Sequence, residues 1–205
     1  MACRRTPRQR TDAERRNHTI DYFRDLLKLV PADAATALDV GCGEGFAARA
    51  LAAGGLEVTA IDPDGPSLEL ARNQDRERIT YIEADVMTAA LPGDYDVVTA
   101  LAVLHHLPLV PALERFKSLL APGGMLLVVG LAASEMPRDA ARDAAAVVAH
   151  QAGRVTHREW EQPSPTVWPP PTTYTEVREA SARILPGSEY KRRLKWRYTL
   201  TWVKS

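Results

Sequence analysis

Short apolar runs alternating with helix-forming segments predict an α/β fold: a doubly wound, mostly parallel sheet with helices on both faces. The first observation behind this is residues 36–55. An apolar run ends at Val40, the glycines Gly41, Gly43 and Gly45 follow at alternate positions, and an alanine-rich stretch from Phe46 to Ala53 is closed by Gly54 and Gly55. The second is a repeat of apolar runs that end on acids: residues 57–61 close on Asp62, and residues 79–86 carry Asp85. The third is bulk. With 205 residues, 45% hydrophobic and 25% charged, the chain suits one globular domain with a full core.

The elements follow in order. Residues 1–16 form a basic and flexible arm by composition, with Arg4, Arg5, Arg8, Arg10, Arg15 and Arg16 against Asp12 and Glu14; residues 17–205 are read as the single domain. Thr11 to Glu14 has capping-box spacing, and Ile20, Phe23, Leu26, Leu27 and Val30 recur at helical intervals until Pro31, so an N-terminal helix precedes the sheet. After the second strand, Asp64 and Pro66 open a helix, proline being tolerated in a first turn. Residues 108–120 read as a helix with Leu109, Leu113, Phe116, Leu119 and Leu120 as its buried stripe.

The last third is less regular. Residues 134–153 are alanine-rich and predict a helix, while 154–172, with Trp160, Trp168 and three consecutive prolines, predict a loop. Thr173 to Glu176 is a second capping box, opening a helix through Val177, Ala180 and Ile184 to Pro186. Residues 189–197 alternate as a strand, with Tyr190, Arg192, Leu194 and Trp196 on one face, and 199–203 are strand-like.

The chemistry sits where the strands end. Glycines at 41, 43 and 45 remove the Cβ atoms that would hold a ligand off the backbone, and the helix behind them offers unpaired N–H groups to an anionic end. The spacing is G-x-G-x-G rather than the pyrophosphate-binding G-x-G-x-x-G. Asp62 can accept two hydrogen bonds from a ribose diol, and Asp85, beside the apolar Val86, can take an adenine amino group. A nucleoside without a pyrophosphate is implied.

That ordered set, with Asp39, Asp62 and Asp85 on three successive strands, the run Tyr95 to Leu107 and the Leu119 to Val129 turn-and-strand, closely resembles the class I S-adenosylmethionine-dependent methyltransferases over residues 36–132. The resemblance implies a Rossmann-like, seven-stranded sheet that ends in an antiparallel hairpin. It implies that Asp39, Gly41, Cys42, Gly43, Gly45 and Phe46 hold the methionine portion of S-adenosylmethionine, Asp62 and Pro63 the ribose, and Asp85 and Val86 the adenine, with Ala100 and Leu101 completing the wall. In small members the N-terminal helix folds over the cofactor, so Tyr22 is a candidate for its carboxylate end and Asn17 and His18 for the lid.

A sulfonium methyl is already a good electrophile, so positioning and water exclusion can supply about 7–11 kcal/mol. A general base adds about 10²- to 10⁴-fold where the nucleophile is a hydroxyl or ammonium. His106 and His105, after the fourth strand, are the candidates; adjacent residues cannot both point at one atom, and in many members of the family they only shape the loop. His18, Trp160, Trp168 and Tyr174 are candidates for the acceptor pocket, their alternative being plain packing. No metal is implied, since no third ligand accompanies the histidines, and Cys3 and Cys42 are too few for a disulfide framework.

The fourth strand is not followed by the Asn/Asp-Pro-Pro-aromatic sequence of amide and base methylation, nor is there a Pro-Cys nucleophile for cytosine. A small-molecule acceptor attacked through oxygen or nitrogen, rather than carbon, is the expected partner. The alternatives are an RNA methyltransferase using the basic arm and a non-catalytic regulatory protein that binds S-adenosylmethionine. Net charge is zero, and the basic run from Lys191 to Arg197 is read as a solvated face, which disfavours nucleic acid. No run approaches bilayer length and the N-terminus lacks a signal-peptide core, so a cytoplasmic protein is expected, of open oligomeric state.

Overall fold

A computed structural model describes residues 12, 17–74, 79–140, 144, 146 and 169–205. Its elements are α1 (His18–Leu27), β1 (Thr36–Val40), α2 (Phe46–Ala53), β2 (Glu57–Asp62), α3 (Gly65–Gln74), β3 (Ile79–Glu83), β4 (Tyr95–Leu101), a 3₁₀ turn (Leu104–His106), α4 (Leu109–Leu119), β5 (Leu120–Leu131), α5 (Tyr174–Ile184), β6 (Glu189–Arg192) and β7 (Arg197–Val203). One seven-stranded sheet runs in the order β3-β2-β1-β4-β5-β7-β6. The pairs β3–β2, β2–β1, β1–β4 and β4–β5 are parallel, and β7 is antiparallel to both β5 and β6. The order reverses between β1 and β4, which places the switch point directly beyond the glycine loop.

The central strands β1, β4 and β5 are buried on both faces, and their side chains divide between two cores with period two. Val97, Leu127 and Val129 join α1, α2 and α3 through Ile20, Phe23, Leu51 and Leu68. Their neighbours Val98, Leu126 and Val128 join α4 and α5 through Leu113, Phe116, Val177 and Ile184. Each such large apolar side chain contributes about 1.5–3 kcal/mol on burial, so both helical layers are secured by a stripe of three or four residues.

Caps set the helix starts. Asn17 in extended conformation accepts a hydrogen bond from Ile20 N and caps α1; of the capping box expected at Thr11 to Glu14, all but Asp12 lies outside the described residues. Thr173 and Glu176 form the full capping box expected for α5. Residues 134–139 are not the start of a helix: Ala133 bridges to Thr173, and Asp139 Oδ2 accepts from Glu135 N at 2.8 Å in a turn. Most of the remainder of that segment lies outside the described residues, as do Trp160, Trp168 and all of the arm but Asp12. Asp12 is held in place. Its carboxylate receives Arg49 Nε at 2.7 Å and Nη2 at 3.0 Å, and its carbonyl receives Arg24 Nη2 at 2.9 Å.

The closing hairpin is present with a shifted boundary. The alternation expected over 189–197 stops at Arg192, because Lys195 and Trp196 both take φ of +57° and turn the chain before Arg197 begins β7. Arg197 pairs with Leu131, the last residue of β5, so this turn lies at the carboxyl edge of the sheet.

Across the β5–β7 ladder, Gly130 faces Tyr198, whose ring is fully buried and stacks on Tyr190 at 5.4 Å. A Cβ on Gly130 would lie 2.2 Å from that ring. Gly130→Ala should therefore lower stability by about 1–3 kcal/mol or more, read as a shift of the urea midpoint at unchanged slope.

Candidate active site

The glycine loop is built as a rigid turn between β1 and α2. Gly41, Gly43 and Gly45 have φ of +62°, +52° and +79°, a region in which a side chain is strained. The space is also taken: a Cβ on Gly41 would stand 2.3 Å from Val103 Cγ2, and one on Gly45 2.8 Å from the Tyr81 hydroxyl. Gly41 N and Cys42 N both donate to Ile61 O, at 2.8 and 3.2 Å, and Gly43 N donates to Asp62 Oδ2 at 2.7 Å. Gly45 is the left-handed N-cap of α2 and supplies no side-chain cap, leaving first-turn amides facing the loop.

Asp62 ends β2 with both oxygens engaged once, Oδ2 by Gly43 N and Oδ1 by Asp64 N at 2.9 Å. A carboxylate has about four lone-pair sites, so Asp62 can still accept two more donors. Pro63 beside it is exposed. Asp85 lies two residues past β3, which stops at Glu83 and not at residue 86; it is exposed, and its Oδ1 accepts from Met87 N at 2.9 Å in a turn. Val86 is buried beside it.

Asp39 stands beneath the loop, only 1% exposed, with Oδ1 accepting from Thr99 Oγ1 at 2.8 Å across to β4. Its Oδ2 makes no hydrogen bond among the described residues, and the Ala48 amide only favours its charge weakly. Burial dominates and pushes its pKa up to about 7. Cys42 is likewise buried, its thiol pushed up by desolvation and by Asp39, so it is a poor nucleophile. The ring of Phe46 packs edge-on to Phe23 of α1, with centroids 6.4 Å apart.

Ala100 and Leu101 end β4, and Ala102 follows at φ +56°, redirecting the chain into the 3₁₀ turn. The two histidines of that turn sit in different surroundings. His106 is exposed; desolvation lowers its pKa, and the nearby Asp62 carboxylate pulls the other way. His105 is 3% exposed, and neither ring nitrogen has a partner among the described residues. Burial, His106 and the Arg197 guanidinium lower its pKa to about 4, so it is neutral at physiological pH.

Helix α1 is pinned to the β6–β7 turn. Lys195 Nζ lies 2.5 Å from His18 Nε2, the ammonium donating, and Arg197 Nε donates to Thr19 Oγ1 at 3.0 Å. Tyr22 does not reach for the glycine loop: its hydroxyl is 3.5 Å from Leu194 O, and Arg193 lies over its ring at 5.5 Å. Tyr174 is buried under the Arg192 guanidinium, 3.8 Å from the ring centroid, and Arg192 is paired with Asp139 at 2.5 Å. The basic run is thus not a solvated face. Sequence reasoning missed Thr99, Val103, Asp139 and these cations as site residues. Only the charge run gave a signal, and its partners lie far away in sequence.

A glycine turn under a β2-end acid, at the switch point of this strand order, defines a nucleoside-cofactor-binding protein of the doubly wound class. A family model described as "Methyltransferase domain" matches residues 38–128. An uncharacterized methyltransferase of Mycobacterium bovis is 37% identical over 189 residues, which is 91% of this chain and 95% of the relative. A ubiquinone biosynthesis O-methyltransferase of Pseudomonas paraeruginosa is 38% identical over 102 residues, 45% of this chain and 43% of the relative. Among solved structures, a Pyrococcus horikoshii protein superposes with a TM-score of 0.65 at 15% identity, over 91% of this chain and 89% of that one. Magnesium protoporphyrin IX methyltransferase from Synechocystis, solved with SAH (S-adenosylhomocysteine) bound, gives 0.59 at 19% identity, over 91% and 81%. The chain belongs to the class I S-adenosylmethionine-dependent methyltransferases.

Because folding raises the Asp39 pKa, the native state binds the extra proton between about pH 4 and pH 7, and stability falls as pH rises through that window. The loss is about 1.4 kcal/mol per pH unit at most. Asp39→Asn keeps the Thr99 bond and should flatten this slope, measured by denaturant titration of the ligand-free protein at several pH values.

Proposed function

We propose that the protein transfers a methyl group from S-adenosylmethionine to an oxygen or nitrogen of a small-molecule acceptor. The observation that carries this is the glycine turn hydrogen-bonded to Asp62, with a buried and unsatisfied Asp39 oxygen beneath it. These residues fit the cofactor. The first turn of α2 has no side-chain cap, the Asp39 oxygen without a partner among the described residues can receive an amino-acid ammonium, and Asp62 keeps capacity for a diol.

In this reading Asp39, Gly41, Cys42, Gly43, Gly45 and the first turn at Phe46 hold the methionine end, Asp62 and Pro63 the ribose, and Asp85 and Val86 the adenine, with Ala100 and Leu101 as floor. When bound, S-adenosylmethionine supplies a methyl on a positively charged sulfur, which needs an aligned nucleophile and no covalent enzyme intermediate. The buried Cys42 thiol offers no such intermediate, which favours oxygen or nitrogen over carbon. The partial likeness to ubiquinone biosynthesis O-methyltransferases supports oxygen.

His105, rather than His106, orients the nucleophile. A buried imidazole with two unsatisfied nitrogens costs free energy unless something pairs with it during function. Its neutral ring can accept the hydrogen bond of an acceptor O–H or N–H, while its depressed basicity suits it to positioning more than to strong proton abstraction. Exposed His106 lies toward the ribose acid Asp62.

The direct test is incubation of metabolite pools with isotope-labelled S-adenosylmethionine, followed by mass spectrometry; label should appear in a small molecule, and its absence from all pools would argue against transfer. Asp62→Ala should cut S-adenosylmethionine affinity by about tenfold or more in calorimetry, on a protein that still unfolds cooperatively but at a lower melting temperature because two backbone amides lose their acceptor. With the labelled product in hand, His105→Gln should lower kcat by about 10²-fold at unchanged cofactor affinity. It should also abolish an acid limb of the kcat/KM profile that lies below the ordinary histidine pKa of about 6.5. An unchanged rate would remove His105 from the acceptor site.

A further inference from the structure

We infer that the acceptor is a planar small molecule carrying a carboxylate or phosphate group, and that the turn between β6 and β7 is the receptor for that anion. This rests on the methyl-transfer reading above and names the class of its second substrate.

The turn stands on the correct edge of the sheet. β6 ends and β7 begins beside Leu131, the last residue of β5, so residues 193–196 project from the same carboxyl edge as the glycine loop. Arg197, the first residue after the turn, acts electrostatically on His105, and His106 in turn feels Asp62. The turn and the cofactor acid therefore flank the two histidines.

A cavity of about 120 Å³ opens here, lined by Tyr174, Arg192, Arg193, Leu194, Lys195 and Trp196, with Ala146 closing one side. Three of these are cations, and none of the described lining residues is a carboxylate. Asp139 neutralises Arg192 and holds its guanidinium flat on Tyr174. Among the described residues Arg193 has no such counter-ion at contact distance, although the Asp25 carboxylate feels its charge. Its Nε donates to Thr199 Oγ1 at 3.0 Å, its face rests on Tyr22, and its two terminal nitrogens make no hydrogen bond among the described residues. A guanidinium fixed at Nε with its fork open is suited to two parallel bonds to a carboxylate or phosphate.

Two further observations show that the cavity is built at a cost. Lys195 and Trp196 are both held at φ +57°, which is unfavourable by about 1–2 kcal/mol per residue for side chains of this kind. The Tyr190 hydroxyl, next to Tyr174 and Arg192, is buried without a partner among the described residues. Tyr174 and Trp196 are also among the lining residues, and aromatic rings beside an anion receptor suit an aromatic or otherwise planar ligand body.

The test uses the full chain, with and without S-adenosylhomocysteine, and follows the Trp196 indole N–H by NMR while adding benzoate, phenyl phosphate or the neutral benzamide. Both anions should shift that signal saturably, and the tighter of the two identifies the group recognised; benzamide should not shift it at matched concentration. Arg193→Gln should weaken anion binding by about tenfold or more, and Arg193→Lys should restore part of it, at unchanged melting temperature. Benzamide binding as well as benzoate, or Arg193→Gln binding benzoate like the parent, would overturn the proposal. Titration with S-adenosylhomocysteine on the same samples reads the other site separately. Failure there with benzoate still bound would sink the methyl-transfer reading but not the anion site.

Discussion

One hydrogen bond, from Gly43 N to the Asp62 carboxylate, joins the two strand ends on which the site depends. It is charge-assisted and short, and it closes a turn already anchored by the Gly41 and Cys42 amides on Ile61 O. Because β1 and β2 are neighbours in register from Thr36 and Glu57 onward, the loop after one strand arrives beside the acid ending the other. The surface around the glycine loop is thereby a product of strand pairing. The left-handed glycines let the chain turn tightly enough for that bond to form.

Elements with local signals were legible in the sequence. β1, α2 and α5 begin where the apolar run, the glycine turn and the Thr173 capping box place them. α1 was harder, because its sequence offers two polar starts, and the cap of the described helix is Asn17. The β6–β7 turn could not be read, since its left-handed residues are Lys195 and Trp196 and nothing like Asn-Gly marks them. The site divides the same way. Gly41, Gly43, Gly45 and Asp62 announce themselves by type and spacing, whereas Thr99 reaches Asp39 across 60 positions and Arg192 reaches Asp139 across 53. Contacts of that range are set by topology, and a charge run alone does not reveal which of its members fold inward.

Electrostatics divides the site into two halves. Around the glycine loop acids dominate: Asp39 is poised near neutrality by burial, and Asp62 is engaged by backbone amides. Around the hairpin turn cations dominate, while burial, with smaller contributions from His106 and Arg197, keeps His105 uncharged. The neutral His105 imidazole lies between the halves.

Arg49 deserves a thermodynamic reading. Its guanidinium grips the Asp12 carboxylate with two nitrogens and the Glu44 carbonyl, inside the glycine turn, with the third at 2.6 Å. One rigid fork thus couples the chain ahead of the domain to the turn from behind. Linkage is reciprocal, so whatever restrains the turn also strengthens the hold on Asp12, and whatever engages the N-terminal residues changes how readily the turn accepts a guest. Asp12 is, in that sense, a remote handle on the glycine turn.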